Sequence, residues 1–461
     1  MSFIAESLAD FAVSLSSGKI PLCVRRRAAY LMLDAAGIAH ASTTFEFARQ
    51  AAAAVSTFEG GACPVIGLPM KLALRDAVLL NGILVHGLDF DDTHQAGVVH
   101  VSSSCFPAAL GAAWAARRSG SEMLTAYVLG IEVAARLGAV ARSELNQIGF
   151  HPTGVIAAFA CALIAGKLEG LTRDQLVMAQ GIVLSMAAGT REYSTDGSST
   201  KRMHPGWAGV CGITAARLAR AGFTGPRSAY EGQFGLYATH LGADRTQWDL
   251  PAALSGLGSK WETAEVGIKA FPICNLSIAC VDVAIALVSQ HPIVPAEVES
   301  IEVLVPPQSV KIICEPLAEK KRPAGSYAAQ FSLPFVVACG LIHGKCGLAE
   351  IERYNDPDIL ALADKVRYRL DPLTGYPRHV SGEVIVTFRN GTRISHREQI
   401  HRGAAENPIS DADIVEKFTA NMMLASTPEH AERVRDTIIN IDTLDDARNL
   451  ADTLNAAPVR A

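Results

Sequence analysis

Aromatic residues make up only 6% of this sequence and charged residues only 19%. The apolar share, 49%, is therefore mostly Ala, Val, Leu and Ile, often beside Gly. A chain this apolar is not expected to stay disordered. Its small residues let helices approach closely, which favours tightly packed helices. Long basic runs are missing and the net charge is -5, which argues against nucleic acid as the main partner.

Ten cysteines occur, yet none forms a C-x-x-C pair, and their spacing offers no support for an iron–sulfur cluster. They read as reduced, buried thiols of a cytoplasmic protein. No apolar run reaches the roughly 18 residues of a membrane span. "TGVIAAFACALIAG" comes nearest, and Lys167 follows it at once. The first residues, "MSFIAESLADFAVSLSSGKIP", have no basic stretch ahead of an apolar core. They read instead as an amphipathic helix with Ile4, Leu8, Phe11 and Leu15 on one face.

A chain of 461 residues is long enough for about two to four domains. Helical spacing of apolar residues dominates to about residue 265, in stretches such as "EMLTAYVLGIEVAARLGAVARS" and "WAGVCGITAARLARAGF". Thr172 stands where it can cap the helix of "RDQLVMAQGIV". Beyond that point the texture changes. "VESIEVLVP" alternates as a strand, with Ile301, Val303 and Val305 on one side. "GEVIVTFRNGTRISHREQI" predicts a hairpin turning at Asn390-Gly391. Helical patterns near 276–289 and 331–342 accompany these strands. "NPISDADIVEKFTANM" restores helix, with Ser410 and Asp413 in a capping arrangement.

The expected fold is mainly α: a large all-helical domain, residues 1–267 and 405–461, and a smaller inserted α+β lid domain, residues 268–404. A cleft between them is the expected place for a ligand.

The segment "HGLDFDDTHQAGVVH", residues 86–100, sets three aspartates and three histidines between two apolar helical patterns. If the preceding helix runs on to residue 93, His86, Asp89 and Thr93 share one face. Asp91 and Asp92 then point elsewhere, toward the helix end or a neighbour. The loop after residue 93 would carry His100 back toward that face. A carboxylate beside an imidazole orients it and favours its protonated form, which suits acid–base work. Three aspartates at a helix end are also what a solvated surface looks like. Metal binding is the sharper alternative, since Asp and His are common ligands, although no H-x-x-x-H spacing occurs here.

Cationic and imidazole groups recur at other helix starts and at the change of domain. "GFHPTG" carries His151, "STKRMHPG" carries Lys201, Arg202 and His204, and "KAFPIC" carries Lys269 and Cys274. Neither Lys201 nor Lys269 has an acidic neighbour in sequence. Together these groups suit a small polyanion from which a proton α to a carboxylate is removed. The resulting enediolate is tolerable only beside fixed positive charge.

In this order, "HGLDFDDTH", "YVLGIEVAARLG", "GFHPTG", "TKRMHPG" and "KAFPIC" resemble the MmgE/PrpD family over nearly the whole chain. That family includes 2-methylcitrate dehydratase, cis-aconitate decarboxylase and iminodisuccinate epimerase. The resemblance implies a helical domain discontinuous in sequence, an α+β lid, no organic cofactor, no metal and a homodimer. It implies catalytic roles for Asp89, Thr93, His100, His151 and Lys201, and substrate contacts from Lys269, Cys274 and His204. Decarboxylase members have a histidine at Cys274 and a tyrosine at Phe335, so both positions depart from that branch.

The leading expectation is a cofactor-free hydro-lyase resembling 2-methylcitrate dehydratase, with His100 as acid or base oriented by Asp89. Decarboxylation of a cis-aconitate-like acid or an epimerisation is the alternative. Two other classes compete. "DFDD" matches the D-x-D-D of protonation-initiated terpene cyclases, but those sites need many aromatics. A non-catalytic helical scaffold explains the helices but not the cationic helix starts.

Overall fold

The computed structural model describes residues 3–242, 248–376 and 378–455. The chain is mainly α-helical and divides into two compact units. Unit 1 comprises the described residues of Met1–Gly87, Asp91–Val266 and Ser410–Ala461. Unit 2 comprises Leu88–Phe90 and Gly267–Ile409.

Unit 1 is built on the helices α1 (Ile4–Ser14), α2 (Leu22–Ser42), α3 (Leu74–His86), α4 (Val101–Ala116), α5 (Gly120–Val140), α6 (Pro152–Leu168), α7 (Arg173–Val183) and α8 (Thr200–Arg220). Helix α6 is apolar on every side because it is packed on every side. Every side chain from Val155 to Ala165 is fully buried, against α4, α5, α7 and α8. Lys167, which ends that apolar run, donates from Nζ to the Ala12 and Leu15 carbonyls at the end of α1, each at 2.7 Å. Among the described residues, the helix long and apolar enough to cross a membrane is α5 rather than α6, and 94% of its apolar window is buried in this unit.

Helix α8 crosses α3 at very close range. A Cβ on Gly206 would lie 2.2 Å from the Leu79 carbonyl oxygen, so only glycine allows this approach. The crossing sets the first turns of α8 against the end of α3. Thr172 caps α7 through the Gln175 amide.

Unit 2 holds a four-stranded sheet of β1 (Val298–Val305), β2 (Val366–Leu370), β3 (Gly382–Phe388) and β4 (Arg393–Glu398), in the order β2-β1-β3-β4. Strand β1 is parallel to β2 and antiparallel to β3, with Ile301 opposite Val366 on one side and Val386 on the other. Strands β3 and β4 form the hairpin, with Asn390-Gly391 at its turn. Helices α9 (Ile278–Gln290) and α10 (Leu333–His343) pack together, and α9 also packs on β3 and β4. Phe335 is wholly buried in this core.

The helices α11 (Asp411–Met422), α12 (Pro428–Ile439) and α13 (Arg448–Asn455) belong to unit 1. Ser410 and Asp413 make the capping box of α11. Helix α11 packs on α2, where Lys417 meets the buried Asp34 at 2.7 Å.

Candidate active site

Helix α3 ends at His86 and does not continue to residue 93. Asp89 adopts a left-handed backbone, φ 50°, which no helix can include. The shared helical face of His86, Asp89 and Thr93 therefore does not form. Arg202 secures this break: its Nε donates to the Gly87 carbonyl at 2.7 Å, and its guanidinium lies over the Phe47 ring. Arg202 thus serves the chain path, and it stands with Lys201 and His204 inside the first turns of α8 rather than before the helix.

The loop that follows is tied down at several points. His94 and Val99 pair as a small antiparallel bridge. His94 Nδ1 accepts from the Gly97 amide at 3.1 Å, so its Nε2 carries the proton and donates to Glu262 Oε2 at 3.1 Å. That bond is the first cause holding the Glu262 carboxyl down to about 2. Gly97 lies on α5, where a Cβ at Gly138 would come within 2.4 Å of the Gly97 carbonyl oxygen. This contact gives the last glycine of "YVLGIEVAARLG" its physical reason. Val98 is held at φ 53°, a strained conformation for a β-branched residue.

His100 emerges as the residue immediately before α4. Its amide donates to Thr153 Oγ1 at 3.1 Å, joining the loop to the start of α6. Its Nδ1 faces oxygens: the Asp92 carbonyl at 2.9 Å, Thr93 Oγ1 at 3.2 Å and Asp91 Oδ2 at 3.6 Å. Nδ1 therefore carries a proton, and Nε2 is the nitrogen left to work on a substrate. The carboxylate beside this imidazole is Asp91, where Asp89 was expected.

Asp91 Oδ2 also accepts from His86 Nδ1 at 2.8 Å. Asp92 turns the other way. Its carboxylate accepts from the Ser102 amide at 3.0 Å and from the Ser102 hydroxyl, which also meets Tyr127. Asp92 thereby satisfies an amide at the start of α4. Burial pushes its carboxyl up to about 7, against the lowering effect of the Ser102 bonds.

His151 precedes α6 at its N-terminus, and its Nδ1 meets His204 Nδ1 of α8 at 3.0 Å. Tyr193 packs against both rings, with centroids 6.0 Å away. Burial lowers both imidazoles, His204 to about 4 and His151 well below its usual range; neighbouring His86 and Lys201 add to both shifts. Lys201 is buried on the same turn as His204. His151 also stacks on His86 at 5.5 Å and lies 6.3 Å from His100. Unit 1 thus brings together His86, Asp91, Thr93, His100, His151, Lys201 and His204.

The remaining expected residues lie in unit 2. Lys269 Nζ donates to the Asp89 carbonyl at 2.7 Å and pairs with Asp89 Oδ2 at 3.3 Å, both residues buried. The acidic partner that sequence neighbours did not reveal is thus 180 positions away. The Cys274 amide donates to the Gln330 carbonyl at 2.9 Å, and the Gln330 side chain donates to the carbonyls of Leu88 and Pro272, each at 2.7 Å. Gln330 so ties the backbone beside Asp89, at Leu88, to the segment between Lys269 and Cys274, at Pro272.

His86, Asp91 and His100 bring their ligand atoms within 4.8 Å of one another, a cluster that sequence spacing concealed. Both Nδ1 atoms, however, point protons at oxygen. A cation there would have to displace both hydrogen bonds, so this donor set is arranged for protons.

Sequence profiles of the MmgE/PrpD N-terminal domain and the MmgE/PrpD C-terminal domain match residues 6–249 and 271–443. Relatives align over almost the full length. A cis-aconitate decarboxylase of Aspergillus terreus is 26% identical, covering 100% of this chain and 97% of its own. A cis-aconitate decarboxylase of Homo sapiens is 28% identical, covering 98% and 94%. A cis-aconitate decarboxylase-like protein of Aspergillus oryzae is 25% identical, covering 97% and 96%.

Proposed function

This chain belongs to the MmgE/PrpD family, and from that premise we propose that it is a lyase that decarboxylates a cis-aconitate-like tricarboxylate. The observation that carries this reading is the full-length similarity to relatives named as cis-aconitate decarboxylases. It ranks decarboxylation above the dehydration of 2-methylcitrate that led the sequence reading.

The chemistry needs an acid and fixed positive charge. In cis-aconitate one carboxylate sits on a methylene next to the double bond. It leaves as carbon dioxide, and the electron pair of the broken C–C bond forms a new double bond to the central carbon. The former double-bond pair moves to the outer carbon, where the adjacent carboxylate delocalises it. A proton delivered to that carbon completes an unsaturated dicarboxylate.

His100 Nε2 is the proton donor in this reading, because Nδ1 is already committed to oxygen. Lys201 stabilises the carboxylate that takes up the electron pair. His151 and His204 are kept neutral by burial, and the one whose Nδ1 accepts in their shared contact keeps its proton on Nε2 and can donate to a carboxylate without adding a full charge. Thr93 supports His100. In unit 2, Lys269 is proposed as a carboxylate anchor, with Asp89 holding its ammonium in place and Cys274 as a contact.

Dehydration is kept as the second reading on one observation. Cys274 stands where the family resemblance implies a histidine in decarboxylase members, whereas Phe335, the other implied departure, is buried in the core of unit 2. Incubation with cis-aconitate, citrate and 2-methylcitrate, followed by NMR, separates the two. Carbon dioxide release from cis-aconitate supports decarboxylation, whereas an unsaturated tricarboxylate formed from 2-methylcitrate alone would replace it.

A further inference from the structure

The acidic loop divides its three carboxylates among three tasks. Asp89 stands against Lys269 in unit 2, and Asp92 anchors the start of α4. Asp91 turns one oxygen toward two imidazoles. We propose that Asp91 and His86 are positioning residues for His100, the buried pair holding a carboxylate oxygen behind the imidazole that protonates the substrate. The inference rests on the lyase reading of His100 given above.

The side chains of His86 and Asp91 are 0% exposed, whereas that of His100 keeps 14%. His100 is therefore the member open to a substrate, and the other two act through it. The His86 ring meets the His100 ring edge-on at 4.9 Å and stacks on His151 at 5.5 Å. Packing thus fixes the direction in which His86 Nδ1 donates, and that bond stops the Asp91 carboxylate from rotating away. An anion held beside an imidazole stabilises the imidazolium and selects which nitrogen keeps the proton. The three contacts on Nδ1 also fix the ring's orientation, so Nε2 always faces away from the loop.

The charged and titratable groups around this imidazole cluster come from every neighbouring element. Asp91 and Asp92 lie on its own loop, Asp34 on α2 beside both, His86 at the end of α3, His151 at the start of α6, and Lys201 and His204 on α8. The imidazole and ammonium groups on α3, α6 and α8 oppose a proton on His100, and the Asp91 carboxylate beside its Nδ1 favours one.

The test combines kinetics with 15N-histidine NMR of the full chain. Asp91→Asn should lower kcat by about tenfold to a hundredfold with KM changed less than threefold. The basic limb of its kcat/KM profile, where the His100 proton donor is lost, should move to lower pH by about one unit or more. His86→Gln, whose amide can still donate to Asp91, should retain more activity than His86→Leu. Equal loss in both His86 variants, or an unmoved pH profile in Asp91→Asn, overturns the proposal. If the buried variants do not fold, the wild type decides: His100 must appear as the Nδ1–H tautomer, and an Nε2–H tautomer overturns the inference. A wild type that turns over none of the acids defeats the lyase reading, while the tautomer measurement still tests the Asp91–His86 pair.

Discussion

The Nδ1 atoms of His151 and His204 face each other at 3.0 Å with both rings buried. One must donate and the other accept, so the contact holds a single proton. In the unfolded chain each imidazole titrates near 6.5. Folded, His204 lies at about 4 and His151 is shifted the same way. Between about 4 and 6.5 the unfolded state therefore binds more protons, and stability is lost as pH falls through that window. His40 and His401, also held at about 4, act in the same sense. His204→Gln should flatten part of the fall in Tm between pH 7 and 4.5. Parallel wild-type and variant curves would contradict the shared-proton pair.

Asp92 works in the opposite direction. Its folded carboxyl sits at about 7 against an ordinary 3.8, so the folded state binds the extra proton in that window. Its contribution to stability declines as pH rises from about 4 to 7. Asp92→Asn keeps an acceptor for the Ser102 amide and has nothing to titrate. The Tm difference, variant minus wild type, should rise across this range in calorimetry. A difference independent of pH would refute the assignment.

What the sequence made legible was local. The Ser410–Asp413 cap, the Thr172 cap and the Asn390-Gly391 turn are each set by residues within a few positions of one another. The end of α3 was not legible, because the apolar spacing runs on through Leu88 and Phe90 while the backbone breaks at Asp89. Roles set by distant partners were equally hidden. Asp91 was passed over since its neighbours are fixed by the path of a loop. His151 and His204 are 53 positions apart, and nothing in either motif announces their contact.

Lys269 illustrates the consequence. Without a visible acidic partner, its replacement by Met should cost activity and leave the fold untouched. Its buried pairing with Asp89 changes that expectation. Lys269→Met removes the ammonium and leaves a buried carboxylate, which costs about 3–5 kcal/mol. The double variant Lys269→Met/Asp89→Asn should recover much of the lost Tm while kcat/KM stays depressed, by about tenfold or more. Activity that returns with stability would show that the lysine is structural only.

Because both Nδ1 atoms of the His86–Asp91–His100 cluster point protons at oxygen, turnover should survive exhaustive chelation. Dialysis against EDTA followed by assay with individual divalent ions checks this. A loss restored by one specific ion would convert the cluster into a metal centre.

The central claim is acid–base lyase chemistry at His100, and proton delivery in heavy water tests it most directly. Wild type and His100→Asn would be incubated with 13C-labelled cis-aconitate in D2O and followed by NMR. The account predicts carbon dioxide release, one deuterium at the newly protonated carbon, and a loss of about a hundredfold or more in His100→Asn. Undiminished turnover in His100→Asn, or product carrying no solvent deuterium at that carbon, would contradict it.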